Sequence, residues 1–421
     1  MTAKIKDIAY EVLAWLPVIG LLMVISAIPY GWSAYQRIGC YVLVSSYAVW
    51  WLATRQWCNF QWDKSKWLYV VIMALWAMLP IRQLFDATPP TDYYLRQVHL
   101  HAWFLYTGII GILGFSDKLK LRHVAYVMLA TSVVMLAHCA HLYFGTTEYG
   151  EADPFMRLNI LRRTTIHSHM VTDLYANTAL ILGFVTLRRS SRRWEQSIIG
   201  IAMVLTWLLI LLSEGRIGMI TSMLIVGVSV MYFLFQKSRI AAIGSGALIV
   251  LMAIVAYAHH PHAIEMREGG EPRIAVWDYS WRMGIEKPIC GYGLSTLSEE
   301  YVKKMYTDPT TMDGFIVPII YHIPDFASQG KTMDTHHPHN AFLMYWLAVG
   351  IIGVLLLVAL FVLAALLPMG SERIFLWLFL LALFLQCLLE PIGAHLLPQF
   401  IAVMLFVWEN VARHASRADN S

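Results

Sequence analysis

Apolar segments of about 20 residues, each long enough to cross the hydrocarbon layer as a helix, recur along nearly the whole chain. By hydropathy they fall near residues 9–29, 37–53, 66–82, 97–115, 123–144, 170–187, 196–212, 216–236, 240–258, 340–366, 373–389 and 394–412. The expected fold is an all-α polytopic membrane protein with about twelve transmembrane helices and a long outside loop containing short amphipathic helices. Composition agrees: 58% of the 421 residues are hydrophobic and 14% charged, against roughly 25% charged in soluble domains. The first segment follows Lys4 and Lys6, has no small-residue cleavage site and is succeeded by further spans, so it reads as a retained helix.

An even number of spans puts both termini on one side. With the N-terminus cytoplasmic, the short inside segments hold Lys4, Lys6, Arg55, Lys64, Lys66, Lys118, Lys120, Arg122, Arg188, Arg189, Arg192, Arg193, Lys237, Arg239, Arg373, Arg413 and Arg417. That is the bias the positive-inside rule demands. The net charge of +4 is therefore a topology signal, and no basic tail or motif points to nucleic acid. The five cysteines are scattered and suggest neither a disulfide framework nor a zinc spacing. Three regions follow: residues 1–258 with nine spans, 259–339 as a long outside loop, and 340–421 with three spans and a tail on the cytoplasmic side.

Only two outside segments are long, 145–169 and 259–339. A loop of about 80 residues exceeds any plain connector and is where function is hosted. Within it, RIAVWDYSWRMGIEKP carries Ile274, Trp277, Trp281 and Ile285 at helical spacing. The expectation is an amphipathic helix on the membrane surface, its tryptophans at headgroup depth, ended by Pro288. Gly291 and Gly293 mark turns after it, and EEYVKKMY is a candidate second short helix.

Charges at membrane depth or on the outside call for a reason, because lipid makes an unpaired charge expensive. Arg216 opens a span after a short turn in LLSEGRIGMITS. It either pairs with Glu214 or snorkels, or it offers a guanidinium to an anion. Arg162 and Arg163 lie in the other outside loop, against the charge bias, with His167 and His169 following. They read as a solvated loop or as anion ligands. Arg273 opens the amphipathic helix, a placement unfavourable to the helix dipole unless an anion is bound.

His336, His337 and His339 stand directly before an apolar run. Three readings are open: a zinc site, which adjacent residues satisfy poorly; a cap bonded to backbone at the mouth of the span; or a general base, since neutral imidazole accepts a proton near neutral pH.

His339-Asn340, nine residues, then Gly350-Ile-Ile-Gly353 fits an H-[NSQ]-x9-G-x-x-G signature, and the chain resembles the O-antigen ligases. Ser213-Glu-Gly-Arg216, Arg273-x-x-x-Trp277 and Pro288-Ile-Cys-Gly291-Tyr-Gly293 support the likeness, in the expected order. The motifs cover roughly residues 150–390, and the His-Asn signature is shared with O-antigen polymerases and pilin O-glycosyltransferases. The resemblance implies a GT-C-like, metal-independent, inverting glycosyltransferase of the bacterial inner membrane, without cofactor, its active site facing the periplasm. Donor and acceptor would be a glycan on undecaprenyl pyrophosphate and a sugar of lipid A-core. By this likeness His339 is the base, Arg216, Arg163, Arg162 and Arg273 hold the pyrophosphate, and Asn340, His337 and Trp277 support them. Glu151 and Asp153 remain open as cation ligands, and the oligomeric state is open.

A transporter for the same lipid-linked glycan is the rival from another class. It should place charges near the midplane, often with inverted repeats and broken helices, whereas these candidates crowd at one face.

Overall fold

The computed structural model describes residues 3–30, 34–55, 62–86, 88–145, 169–212, 215–241, 272–297, 300–301, 338–389 and 397–418, with a few more between 243 and 251. Among them every regular element is a helix. α1 spans Ala3–Ala27, α2 Ala34–Ala53, α3 Lys66–Gln83, α4 Asp92–Leu113, α5 Leu121–Gly145, α6 His169–Arg189, α7 Arg193–Leu212 and α8 Arg216–Phe235. Then come α9 Pro272–Glu286, α10 Ala341–Val349, α11 Ile351–Ala365, α12 Arg373–Leu389 and α13 Leu397–Ala418.

These helices overlie the expected apolar segments to within a few residues at most ends, except that 240–258 lies largely outside the described residues. Five described stretches are long and apolar enough to cross a membrane: Ile8–Tyr30, Leu121–His141, Arg193–Leu212, Ile217–Phe235 and Gly370–Leu389. One expectation is corrected. The run 340–366 is not one helix: it breaks at Gly350 into the nine-residue α10 and the fifteen-residue α11.

The medium is legible in α7. Ile198, Ile201, Val204, Leu208 and Leu211 form an exposed apolar stripe, while Ile199, Met203, Thr206 and Ile210 face inward. A stripe of that size is a liability in water and a natural outer surface in hydrocarbon. The centre is α6, buried continuously from residue 171 to 186 and packed against α5, α7, α8 and α12. Two of its threonines are satisfied within the helix: Thr178 and Thr186 donate to the carbonyls of Leu174 and Leu182, both at 2.8 Å.

One end of the bundle is closed by a buried ion network. Arg413 bonds Glu409 at 2.6 Å, lies 3.6 Å from Asp63 and donates to the Gly111 carbonyl at 3.2 Å. Tyr69 and Ser65 donate to the same Glu409 carboxylate. Each charge is thus paired and hydrogen-bonded, the condition under which burying it is tolerated. α3 starts at this network and its 18 residues end about 27 Å away, at 1.5 Å per residue, where the sequence motifs gather.

Candidate functional site

The run preceding α10 begins the site. Asn340 is the N-cap of α10, extended at φ −158°, and its side-chain oxygen accepts from the Leu343 amide at 3.0 Å. Immediately before it, His339 is half-buried with φ at +47°, in the left-handed region that few residues other than glycine adopt. Backbone strain of this kind concentrates at functional sites. The chain bends at His339 and enters a helix of apolar residues, seven of its nine buried.

The far end of α10 explains the two glycine motifs together. Gly350, at φ +81° and ψ −171°, breaks the helix and releases carbonyls behind it and an amide ahead of it. Such groups at membrane depth must be satisfied by protein. The strap after α9 does this: the amides of Tyr292 and Gly293 donate to Leu347 and Ala348 at 2.6 and 3.0 Å, and Pro288 accepts from the Ile351 amide at 2.9 Å. The Trp346 indole also donates to Pro288, at 3.2 Å. A methyl at Gly350 would overlap the Ile289 carbonyl oxygen, and one at Gly291 (φ +62°) would sit 2.6 Å from the Leu347 oxygen. Pro288-x-x-Gly291-x-Gly293 and Gly350-x-x-Gly353 therefore meet in one backbone joint.

α9 lies against α10 with Gly284 beneath the Trp346 ring and Trp281 edge-on to it at 4.6 Å. α9 forms where the sequence predicts a helix, and the burial of its residues assigns its faces. Trp281 and Ile285 are exposed, Trp277 is half-buried, and Val276, Tyr279, Ser280 and Met283 face the protein. The indole N–H of Trp277 is buried and finds no acceptor among the described residues. Tyr292 in the strap donates to Glu286 at 2.9 Å, and burial, reinforced by the charge of Glu300, pushes its phenol above the ordinary value.

Two residues that sequence reasoning passed over belong here. Arg82, at the end of α3, holds the strap from the other side, its Nε on the Cys290 carbonyl at 2.7 Å and its Nη2 on that of Gly291 at 3.3 Å. Asp173 of α6 is 2% exposed, and its carboxylate fills the space that side chains at Gly215 and Gly218 would take, at the start of α8. Either was open to the argument applied to Arg216, an ionisable side chain at or near membrane depth.

Of the expected site residues, the structure describes His339, Asn340 and Trp277 fully and joins the α9 strap to α10. Arg216 is the first residue of α8 and Arg273 lies in the first turn of α9; their side chains fall outside the described residues, as do Arg162, Arg163, His336 and His337 altogether. Glu151, Asp153 and Glu214 do too. α12 packs against α6, α8, α10 and α11, so the helix Arg216 opens and the helix His339 precedes share a neighbour.

Residues 201–358, which run from α7 through the joint and into α11, match the family model described as O-antigen ligase (Wzy_C). No curated protein matches the chain.

Proposed function

Because residues 201–358 match the O-antigen ligase family model, we propose that the protein is an O-antigen ligase of the O-antigen ligase/polymerase superfamily. It transfers a glycan from undecaprenyl pyrophosphate to a sugar hydroxyl of lipid A-core in the periplasmic leaflet of a bacterial inner membrane. The observation that supports this reading most is the pairing of a strained histidine at the mouth of α10 with a backbone joint that fixes that helix to α9. A general base needs to be held in place against two lipid-anchored substrates, and the joint supplies a rigid mount.

His339 takes the proton from the acceptor hydroxyl as its oxygen attacks the anomeric carbon. The bond from that carbon to the pyrophosphate oxygen breaks on the opposite face, so the configuration inverts. Undecaprenyl pyrophosphate leaves with the bonding electrons, and the proton on the imidazole passes to water. Arg216, with Arg162 or Arg163 and Arg273, grips the pyrophosphate and neutralises its growing charge, which makes a divalent ion unnecessary.

Arg82 keeps the strap in register through the carbonyls of Cys290 and Gly291. The broken helix at Gly350 superficially resembles a transporter device, but half-helix ends in transporters face an ion or substrate cavity. Here the freed backbone groups are consumed by the strap, which favours an enzyme scaffold.

The experiment is the lipopolysaccharide ladder of a strain lacking this protein. Core-only lipopolysaccharide with undecaprenyl-linked polymer still present is the outcome expected of a ligase. Core bearing a single repeat unit would make the protein a polymerase, and an unchanged ladder would remove it from O-antigen attachment altogether.

A further inference from the structure

A carboxylate in the interior of a membrane bundle is costly unless something balances it, and Asp173 is 2% exposed in α6, which is buried continuously from residue 171 to 186. Its position is specific. Cβ atoms built on Gly215 and Gly218 would both collide with the Asp173 carboxyl group. The two glycines therefore open a seat on α8, one residue before Arg216 and two after it. One turn further along α6, Asn177 donates to the Gly218 carbonyl at 3.0 Å, so the pair of helices is pinned at that level.

The seat lies at the N-terminus of α8, whose first-turn N–H groups carry partial positive charge. Gly215 is the N-cap. Asp173 brings a carboxyl group to the turn from which Arg216 springs. If packing alone were required, an apolar residue in this seat would serve without the desolvation cost.

We propose that Asp173 is a positioning residue of the donor site: seated against Gly215 and Gly218, its buried carboxylate fixes the first turn of α8 and balances the positive charge Arg216 adds to it. The inference rests on the reading above that Arg216 holds the pyrophosphate. It also explains why glycines flank Arg216 at −1 and +2. Side chains there would expel the carboxylate.

The test is a double-mutant cycle on the full-length protein in detergent, reading affinity for undecaprenyl pyrophosphate itself. Binding is measured for wild type, Asp173→Asn, Arg216→Ala and the double variant, with monodispersity checked for each. The expected result is a loss of about tenfold for Asp173→Asn beside an intact Arg216, shrinking to under about twofold in the Arg216→Ala background, since coupled neighbours are non-additive. An equal loss in both backgrounds would reduce Asp173 to a packing residue, and tighter binding by Asp173→Asn would make it merely a repulsive charge. Both overturn the inference while leaving the ligase reading intact, whereas a wild type that does not bind the probe removes that reading too. Gly218→Ala is the second variant, because it displaces the carboxylate without deleting it. It should reproduce the Arg216-dependent loss, and wild-type affinity there would contradict the role of the seat.

Discussion

The backbone amide of Tyr292 donates to the carbonyl of Leu347 at 2.6 Å, tying the loop after α9 to the last turn of α10. Two stretches more than fifty residues apart in the chain thereby share one piece of hydrogen-bonded backbone. Helix α10 is short, and a nine-residue helix has little stability of its own. Its placement comes from the N-cap at one end and this joint at the other.

Gly350→Ala should break the joint. The new methyl would overlap the Ile289 carbonyl oxygen and force an L-residue to φ +81°. Left-handed strain and overpacking together should destabilise the protein by roughly 2–5 kcal/mol. Thermal unfolding in detergent reads this. Gly200→Ala in α7, where a methyl meets no atom within 4 Å, is the control and should be neutral or slightly stabilising.

Asn340→Ala should cost about 1 kcal/mol through loss of the cap on the Leu343 amide. Asn340→Asp should retain that stability, because a carboxylate accepts the same bond and suits a helix N-terminus. Unfolding midpoints of the two variants, measured side by side, decide the matter; equal losses would show that the cap contributes nothing.

Arg216→Lys should not restore function. A planar fork that grips phosphate at two oxygens becomes a point charge, although the net charge is unchanged. Ligation rate and undecaprenyl pyrophosphate affinity should both fall, as in Arg216→Ala. Lysine performing like arginine would mean snorkelling or local pairing, and the clamp would then be sought at Arg162, Arg163 and Arg273.

Transfer should survive exhaustive EDTA treatment, because guanidinium groups carry the electrostatic work a metal would otherwise do. An enzyme silenced by EDTA and revived by Mg²⁺ or Mn²⁺ would contradict this and direct attention to Glu151 and Asp153.

Most described helices were legible from run length alone, since backbone groups in lipid leave a long apolar run few alternatives to a helix. The break at Gly350 was not. Hydropathy is blind to φ, and the need for glycine there comes from the Ile289 carbonyl, which is brought up only by tertiary structure. His339 and Asn340 stood out by their position at the edge of an apolar run, but the left-handed turn that presents them has no sequence signal beyond tolerance of it. Arg82 ends a span on the side opposite the main basic clusters, the same anomaly that singled out Arg162 and Arg163. Asp173, inside HMVTDLYANTAL, was visible as an ionisable residue within an expected span, but the glycine seat it fills on α8 comes only from tertiary structure. The i,i+4 pairing of Glu409 with Arg413 is visible in the sequence, yet Asp63 and Tyr69, which complete the network, lie more than three hundred residues away.

The most direct test is transfer in vitro by the purified protein in detergent, with undecaprenyl pyrophosphate-linked glycan and lipid A-core, comparing wild type with His339→Asn. Asparagine tolerates the left-handed backbone at φ +47°, so the variant separates the proton acceptor from the conformation that holds it. The account expects glycosylated lipid A-core from wild type. It expects a rate about 10²–10⁴-fold lower from the variant, with unchanged unfolding and retained undecaprenyl pyrophosphate binding. A variant within tenfold of wild type, or a folded wild type that forms no product, would contradict it.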